Sequence, residues 1–275
     1  MTSQAEPPSS AGKTRPASDD DPSTPPAGWW RRFRTALRRF VDAFVLPEIL
    51  SLKRFFVRTR RQANFGQLYR MESCQLGDRV GKHECVFDIA GSADSRSAQR
   101  GVAVICHPHP QHGGTMDNKV VQTLARTFAL LGYEAVRFNF RGVGASVGEW
   151  DEGRGEVEDA LAVIGARRQP GRALVLAGFS FGAYVASQAA QRLDADDKPR
   201  RLVLVGPAVR NFAMAAVADD TLVIHGEADD VVPLAAVLDW ARPQSLPIVV
   251  IPGVGHFFHG HLTQLKNLLL RNWQA

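Results

Sequence analysis

The chain has 275 residues, 45% hydrophobic and 22% charged, close to globular averages, which excludes global disorder and a fibrous repeat and implies one domain with appendages. Its apolar runs are only a few residues long, far below the ~18 that a membrane-spanning helix needs, so no bilayer span is expected. The net charge of +5 is concentrated in one segment: residues 29–61 hold nine arginines and Lys53 against Asp42 and Glu48, a net +8, whereas residues 62–275 hold 21 basic and 22 acidic side chains.

Residues 1–28 carry Lys13 and Arg15 against Glu6, Asp19, Asp20 and Asp21 and are rich in Pro, Ser and Ala. Such a segment buries too little apolar surface to offset the entropy of ordering it, and it is predicted to be a disordered tail. It has no apolar stretch of the kind found in a secretory signal, and the three cysteines, Cys74, Cys85 and Cys106, cannot all pair within the chain. A reducing, cytoplasmic location is expected.

Residues 29–71 read as a basic arm. Trp30, Phe33, Leu37, Phe40 and Phe44 recur at three- and four-residue steps, with Arg31, Arg32, Arg34, Arg38 and Arg39 largely elsewhere on the wheel, which predicts an amphipathic helix. Pro47 ends it or opens a second helix, in which Leu52, Phe55 and Phe56 continue the stripe. Two readings stay open: peripheral attachment of residues 29–61 to an anionic membrane at its inner face, and a helix docked on its own domain with a solvated basic face.

From residue 72 onward the pattern alternates. The stretch 72–90 adds one or two antiparallel edge strands. Short apolar, β-branched runs at 102–106, 134–139, 173–177, 202–205, 221–224 and 248–251, bounded by Gly, Pro or His, predict buried parallel strands. Amphipathic patterns at 118–131, 155–167, 181–193, 232–241 and 261–272 predict the helices between them. That order implies an α/β fold, a mainly parallel sheet with helices on both faces.

The residues with chemical potential follow the strands. Gly178-Phe179-Ser180-Phe181-Gly182 lies where the strand at 173–177 turns directly into a helix, the setting of a nucleophile elbow; without that setting the string would be an ordinary glycine-rich turn. A serine needs a base to take its proton, and the base needs an acid to hold its tautomer. Both lie downstream: the strand at 221–224 runs into His225-Gly226-Glu227-Ala228-Asp229-Asp230, and the strand at 248–251 into Gly253-Val254-Gly255-His256. One of the two aspartates is expected to cap the helix that follows.

Over residues ~72–275 the chain resembles the α/β-hydrolase superfamily. It is most similar to small, lidless bacterial serine hydrolases marked by Cys106-His107-Pro108-His109-Pro110 and Gly113-Gly114-Thr115-Met116-Asp117-Asn118-Lys119. Further matches are Phe138-Asn139-Phe140-Arg141-Gly142-Val143-Gly144 with Ser146, then Gly155-Glu156 and Asp159, Gly178 to Tyr184, and His256-Phe257-Phe258-His259-Gly260. The resemblance implies Ser180 as nucleophile, His256 as general base and then acid, and Asp229, three residues after Gly226, as the acid that orients His256. It carries over no substrate, and the arm departs from it.

In this fold one oxyanion donor is the backbone N–H after the nucleophile, here that of Phe181, and the second comes from the loop after the strand ending near Cys106. Pro108 and Pro110 have no N–H, which leaves His109 between them as the second donor. The 15 residues between the strands at 202–205 and 221–224 are too few for a lid domain. A shallow, open site is therefore expected, lined by Phe179, Phe181, Phe257, Phe212 and Met214, suited to acyl or aromatic ester groups.

Two rival readings are weaker. His107, His109 and His112 follow one strand and His256, His259 and His261 another, yet no His-Glu-x-x-His or paired-cysteine ligand spacing appears, and a metal site would leave the elbow unexplained. Gly142-Val143-Gly144 lacks the third fingerprint glycine and leads into an acidic turn unsuited to pyrophosphate. The expectation is a serine hydrolase that cleaves a small-molecule carboxylic ester or thioester through an acyl-enzyme, with no cofactor, no metal and no nucleic-acid partner. The alternative is a non-catalytic or acyl-transferring protein of the same fold that acts through its arm.

Overall fold

The computed structural model describes residues 58–64, 67–77, 82–90 and 100–273. The tail at 1–28 and the amphipathic helix read from Trp30 to Phe56 lie outside the described residues. Nine strands form one sheet: β1 (Arg58–Asn64), β2 (Gln67–Gly77), β3 (Lys82–Ala90), β4 (Gly101–Cys106), β5 (Tyr133–Phe138), β6 (Ala173–Phe179), β7 (Arg201–Val205), β8 (Leu222–Gly226) and β9 (Ile248–Ile251). Their spatial order is β1-β2-β3-β5-β4-β6-β7-β8-β9. From β5 to β9 all pairings are parallel, while β1, β2 and β3 join antiparallel at one end.

The antiparallel part starts at Arg58, upstream of residue 72, so residues 58–71, read as part of the arm, supply all of β1 and the first half of β2. The run Arg58-Thr59-Arg60-Arg61 looks like a solvated arm from its charge alone, but an outermost strand tolerates charged residues that a central strand does not.

Alternation along the central strands divides the core in two. Val102, Val104 and Cys106 of β4 and Leu174 and Leu176 of β6 face one layer, and Ala103, Ile105, Val175, Ala177 and Phe179 face the other. The first layer is covered by α2 (Arg154–Arg167), α3 (Phe181–Arg192) and α4 (Leu234–Ala241), the second by α1 (Lys119–Leu130) and α5 (Leu262–Asn272). All five helices match the sequence periodicity. Among the described residues no helix is long and apolar enough to cross a membrane.

The topology decides where chemistry can gather. From β4 the chain passes to β5 on one side and then to β6 on the other, so β4 and β6 are neighbours whose outgoing loops diverge. A crevice at the carboxyl ends of the strands follows from such a reversal. The segments 107–114, 180–182, 227–230 and 252–258 all leave carboxyl ends of parallel strands. Between Val205 and Leu222 there is neither helix nor strand, so this connection supplies no lid domain.

Candidate active site

Ser180 sits between β6 and α3 with φ 56° and ψ −120°, a region that L-residues occupy only when their surroundings impose it. The flanking glycines are sterically required. A Cβ on Gly178 would lie 2.1 Å from the Gly182 carbonyl oxygen, and one on Gly182 would lie 2.2 Å from the Cys106 carbonyl oxygen. The turn is held from outside as well, because the Ser180 N–H donates to the Val205 carbonyl at 2.9 Å. Phe181 opens α3, so its own N–H has no intrahelical acceptor.

The Ser180 hydroxyl donates to His256 Nε2 at 3.0 Å, and His256 Nδ1–H donates to Asp229 Oδ2 at 2.7 Å. All three side chains are buried. The other carboxylate oxygen, Oδ1, accepts from the Val231 and Val232 amides at 3.0 and 2.7 Å. Burial pulls the Asp229 pKa upward, but the hydrogen bonds from His256 and the Val232 amide, together with the two nearby imidazoles, outweigh it and hold the carboxyl below its ordinary value. Asp229 is thus a charged acceptor that fixes His256 with a proton on Nδ1 and a lone pair on Nε2, facing serine. Asp230, its neighbour, is exposed. The Glu227 and Ala228 amides donate to the Ile251 and Val254 carbonyls at 3.0 Å each, which ties the aspartate loop to the histidine loop.

Sequence alone does not place His225 in the site. Its ring is fully buried, Nε2–H donates to the Val232 carbonyl at 2.9 Å, and the same nitrogen lies 3.6 Å from Asp229 Oδ2. Burial, against the attraction of Asp229, pushes its pKa down.

The loop after β4 is fixed by a second histidine. His107 Nδ1–H donates to the Pro108 carbonyl at 2.6 Å, and Nε2 accepts from the Phe140 amide at 3.1 Å. Both ring nitrogens are therefore engaged by backbone. Burial pushes the His107 pKa down to about 4, against the upward pull of the Pro108 hydrogen bond. The unfolded chain takes up this proton near pH 6.5, but the folded chain only near 4. The contribution of neutral His107 is therefore complete above pH 6.5 and lost as pH falls toward 4, about 3 kcal/mol in all. Denaturant unfolding across pH 4–8 should show a curve flatter by about that amount in His107→Gln; superimposable slopes would show that His107 titrates normally.

The remaining motif residues brace this edge. The Met116 amide donates to Asn139 Oδ1, and Arg137 donates to the Met116 carbonyl, Asp117 and the buried Asp88 at 2.7–3.0 Å. Asn118 caps α1. Arg141 pairs with buried Asp159, and buried Glu156 accepts from the Asp151 and Gly153 amides at the start of α2.

The expected lining residues fare differently. Phe257 is 49% exposed, with its ring 5.1 Å from that of His256. Phe212 is half-buried and packs on Phe181 at 4.9 Å and on His109 at 5.8 Å. Phe179 does not line the site. It is fully buried, because the alternation of β6 turns it with Val175 and Ala177 into the core beneath His256, at 5.1 Å between rings. Met214 also lies back from Ser180, its sulfur 4.0 Å from the Ser187 hydroxyl, two turns or roughly 10 Å along α3. His109 and Phe181 are brought together, ring centroids 5.2 Å apart. Packed against both is a residue that sequence alone does not single out, Trp150, 4.5 Å from His109 and 5.1 Å from Phe181.

A hydrogen-bonded Asp–His–Ser chain ending on a strained serine is an arrangement for nucleophilic attack. Comparison with known proteins points the same way. A family model described as serine aminopeptidase, S33, matches residues 97–218. A lidless α/β serine hydrolase of Xanthomonas campestris is 38% identical, with a TM-score of 0.66 over 74% of this chain and 93% of its own. An α/β serine hydrolase homologue from Coxiella burnetii is 40% identical, with a TM-score of 0.64 over 74% of this chain and 97% of its own. An uncharacterized protein of Rickettsia prowazekii is 31% identical over 60% of this chain and 75% of its own length.

Proposed function

The chain belongs to the α/β-hydrolase superfamily, and from that premise we propose that it is a serine hydrolase that cleaves a carboxylic ester or thioester through an acyl-enzyme. The observation that carries the reading is the pair of hydrogen bonds, 2.7 and 3.0 Å, that link Asp229 through His256 to Ser180. Ser180 Oγ attacks the carbonyl carbon while His256 Nε2 takes its proton, and Asp229 stabilises the imidazolium without leaving its charged form. The tetrahedral oxyanion is held by the backbone N–H groups of Phe181 and His109. Collapse expels the alcohol or thiol, which receives the proton from His256; water then attacks the acyl-serine by the same path in reverse.

The aminopeptidase activity in the family model's description would use the same atoms on an amide. The open edge and the apolar rings around Ser180 favour the ester reading, since both suit an apolar acyl group. The cytoplasm is the location this reading assigns, with residues 29–61 as a contact to an anionic membrane, on the strength of their charge and periodicity.

The test is labelling of the full chain with a fluorophosphonate probe, peptide mapping of the labelled serine, and turnover of p-nitrophenyl esters, acyl thioesters and an aminoacyl amide. Label on Ser180 with turnover of esters or thioesters is expected. Turnover of the amide alone would replace the ester reading, and label elsewhere or nowhere would overturn the serine assignment.

A further inference from the structure

The half-exposed aromatic side chains near Ser180 form two groups, each packed on a different part of the proposed machinery. Trp150 and Phe212 pack on His109 and Phe181, the two residues whose amides face the oxyanion. Phe257 packs on His256.

Proton transfer makes these groups inequivalent. The leaving atom must come within hydrogen-bond reach of His256 Nε2, because it takes its proton there. The carbonyl oxygen must face the Phe181 and His109 amides. With the leaving atom and the oxyanion so placed, the acyl chain is the substituent left to meet other side chains.

We propose that Trp150 is the residue that determines acyl specificity, and that with His109 and Phe212 it forms a wall for a planar aromatic acyl group, while Phe257 flanks the leaving group. The inference rests on the acyl-enzyme reading given above. Three observations support it. The rings stand 4.5–5.8 Å apart at interplanar angles of 36–62°, an edge-and-face arrangement that a further ring can extend. The backbone beside Trp150 is held, because the amides of Asp151 and Gly153 donate to the carboxylate of Glu156 at 3.1 and 2.8 Å, and the indole packs on the rings of His109 and Phe181; it is therefore placed before substrate arrives. The three rings of the wall themselves carry no fixed charge. His109 Nδ1 accepts from the Gln111 amide, and burial, reinforced by His112 nearby, favours its neutral ring. A neutral aromatic acyl group fits such a wall better than a charged one.

The experiment compares kcat/KM for p-nitrophenyl phenylacetate and p-nitrophenyl acetate, which share a leaving group, in the full-length wild type, Trp150→Ala, Trp150→Leu and Phe257→Ala. The phenylacetate-to-acetate ratio should fall roughly tenfold to a hundredfold in Trp150→Ala and by less in Trp150→Leu. Phe257→Ala should leave that ratio in place and instead lower the ratio of naphthyl acetate to ethyl acetate. An unchanged acyl ratio in Trp150→Ala, or an acyl ratio that moves with Phe257→Ala, overturns the inference. Fluorophosphonate labelling of every variant keeps the two levels apart: a wild type that neither labels at Ser180 nor turns over any ester refutes the acyl-enzyme reading itself, whereas labelled variants with a fixed ratio refute only the wall. Should Trp150→Ala fail to fold, the ratio in Trp150→Leu decides, and no change there overturns the inference.

Discussion

Ser180→Ala should abolish fluorophosphonate labelling and reduce kcat on p-nitrophenyl esters by roughly 10⁶-fold, the scale on which removal of the serine silences an established triad. The substitution removes one oxygen and leaves everything that builds the elbow. Alanine keeps the Cβ, so it meets the same steric terms at φ 56°, and it keeps the backbone bonds to the Val205 carbonyl and from the Ala183 amide, both 2.9 Å. Thermal unfolding should therefore stay close to wild type while activity disappears. That pairing gives the experiment its force, because loss of activity with loss of fold would say nothing about chemistry. Retention of even a tenth of wild-type turnover in a folded variant would show that another group attacks the substrate.

The parts of this site that could be read from sequence are those set by local rules. The strand at 173–177, its glycines and the helix after it describe the elbow, since the steric reason for Gly178 and Gly182 lies within a few residues and one neighbouring strand. The central strands and helices were legible for a related reason: buried parallel strands are short and β-branched, and their limits differ from the structure by one or two residues. What sequence reading missed depends on distant chain. Trp150 looks like part of an acidic turn because its partners, His109 and Phe181, come from two other loops. His107 looks like a candidate ligand because the Phe140 amide that occupies its Nε2 arrives from the end of a different strand. β1 reads as arm because its charge is conspicuous and its pairing partner is not. Phe179 is a different kind of case: its closeness to Ser180 suggests the site, but the alternation of Val175, Ala177 and Phe179 along the strand points it into the core.

Asp229→Asn should cost on the order of 10³–10⁴ in kcat, and Asp230→Asn almost nothing. The difference comes from hydrogen-bond direction. Asp229 only accepts: Oδ1 takes the Val231 and Val232 amides, and Oδ2 takes His256 Nδ1–H. In the asparagine variant the side-chain oxygen remains free to serve the two backbone donors, which cannot turn away, so the amide nitrogen falls opposite His256 Nδ1. That nitrogen donates. The imidazole must then carry its proton on Nε2, where it meets the Ser180 hydroxyl with a hydrogen instead of a lone pair and cannot act as base. The fold should persist, because every backbone contact of the loop is preserved, and the lost activity should appear in kcat with labelling slowed in proportion. Asp230 is exposed and one residue out of register, so its amide changes only a solvated charge. Equal activity of the two variants on p-nitrophenyl acetate would mean that the Asp229 carboxylate, for all its contact with His256, does not set the tautomer on which the proposed attack depends.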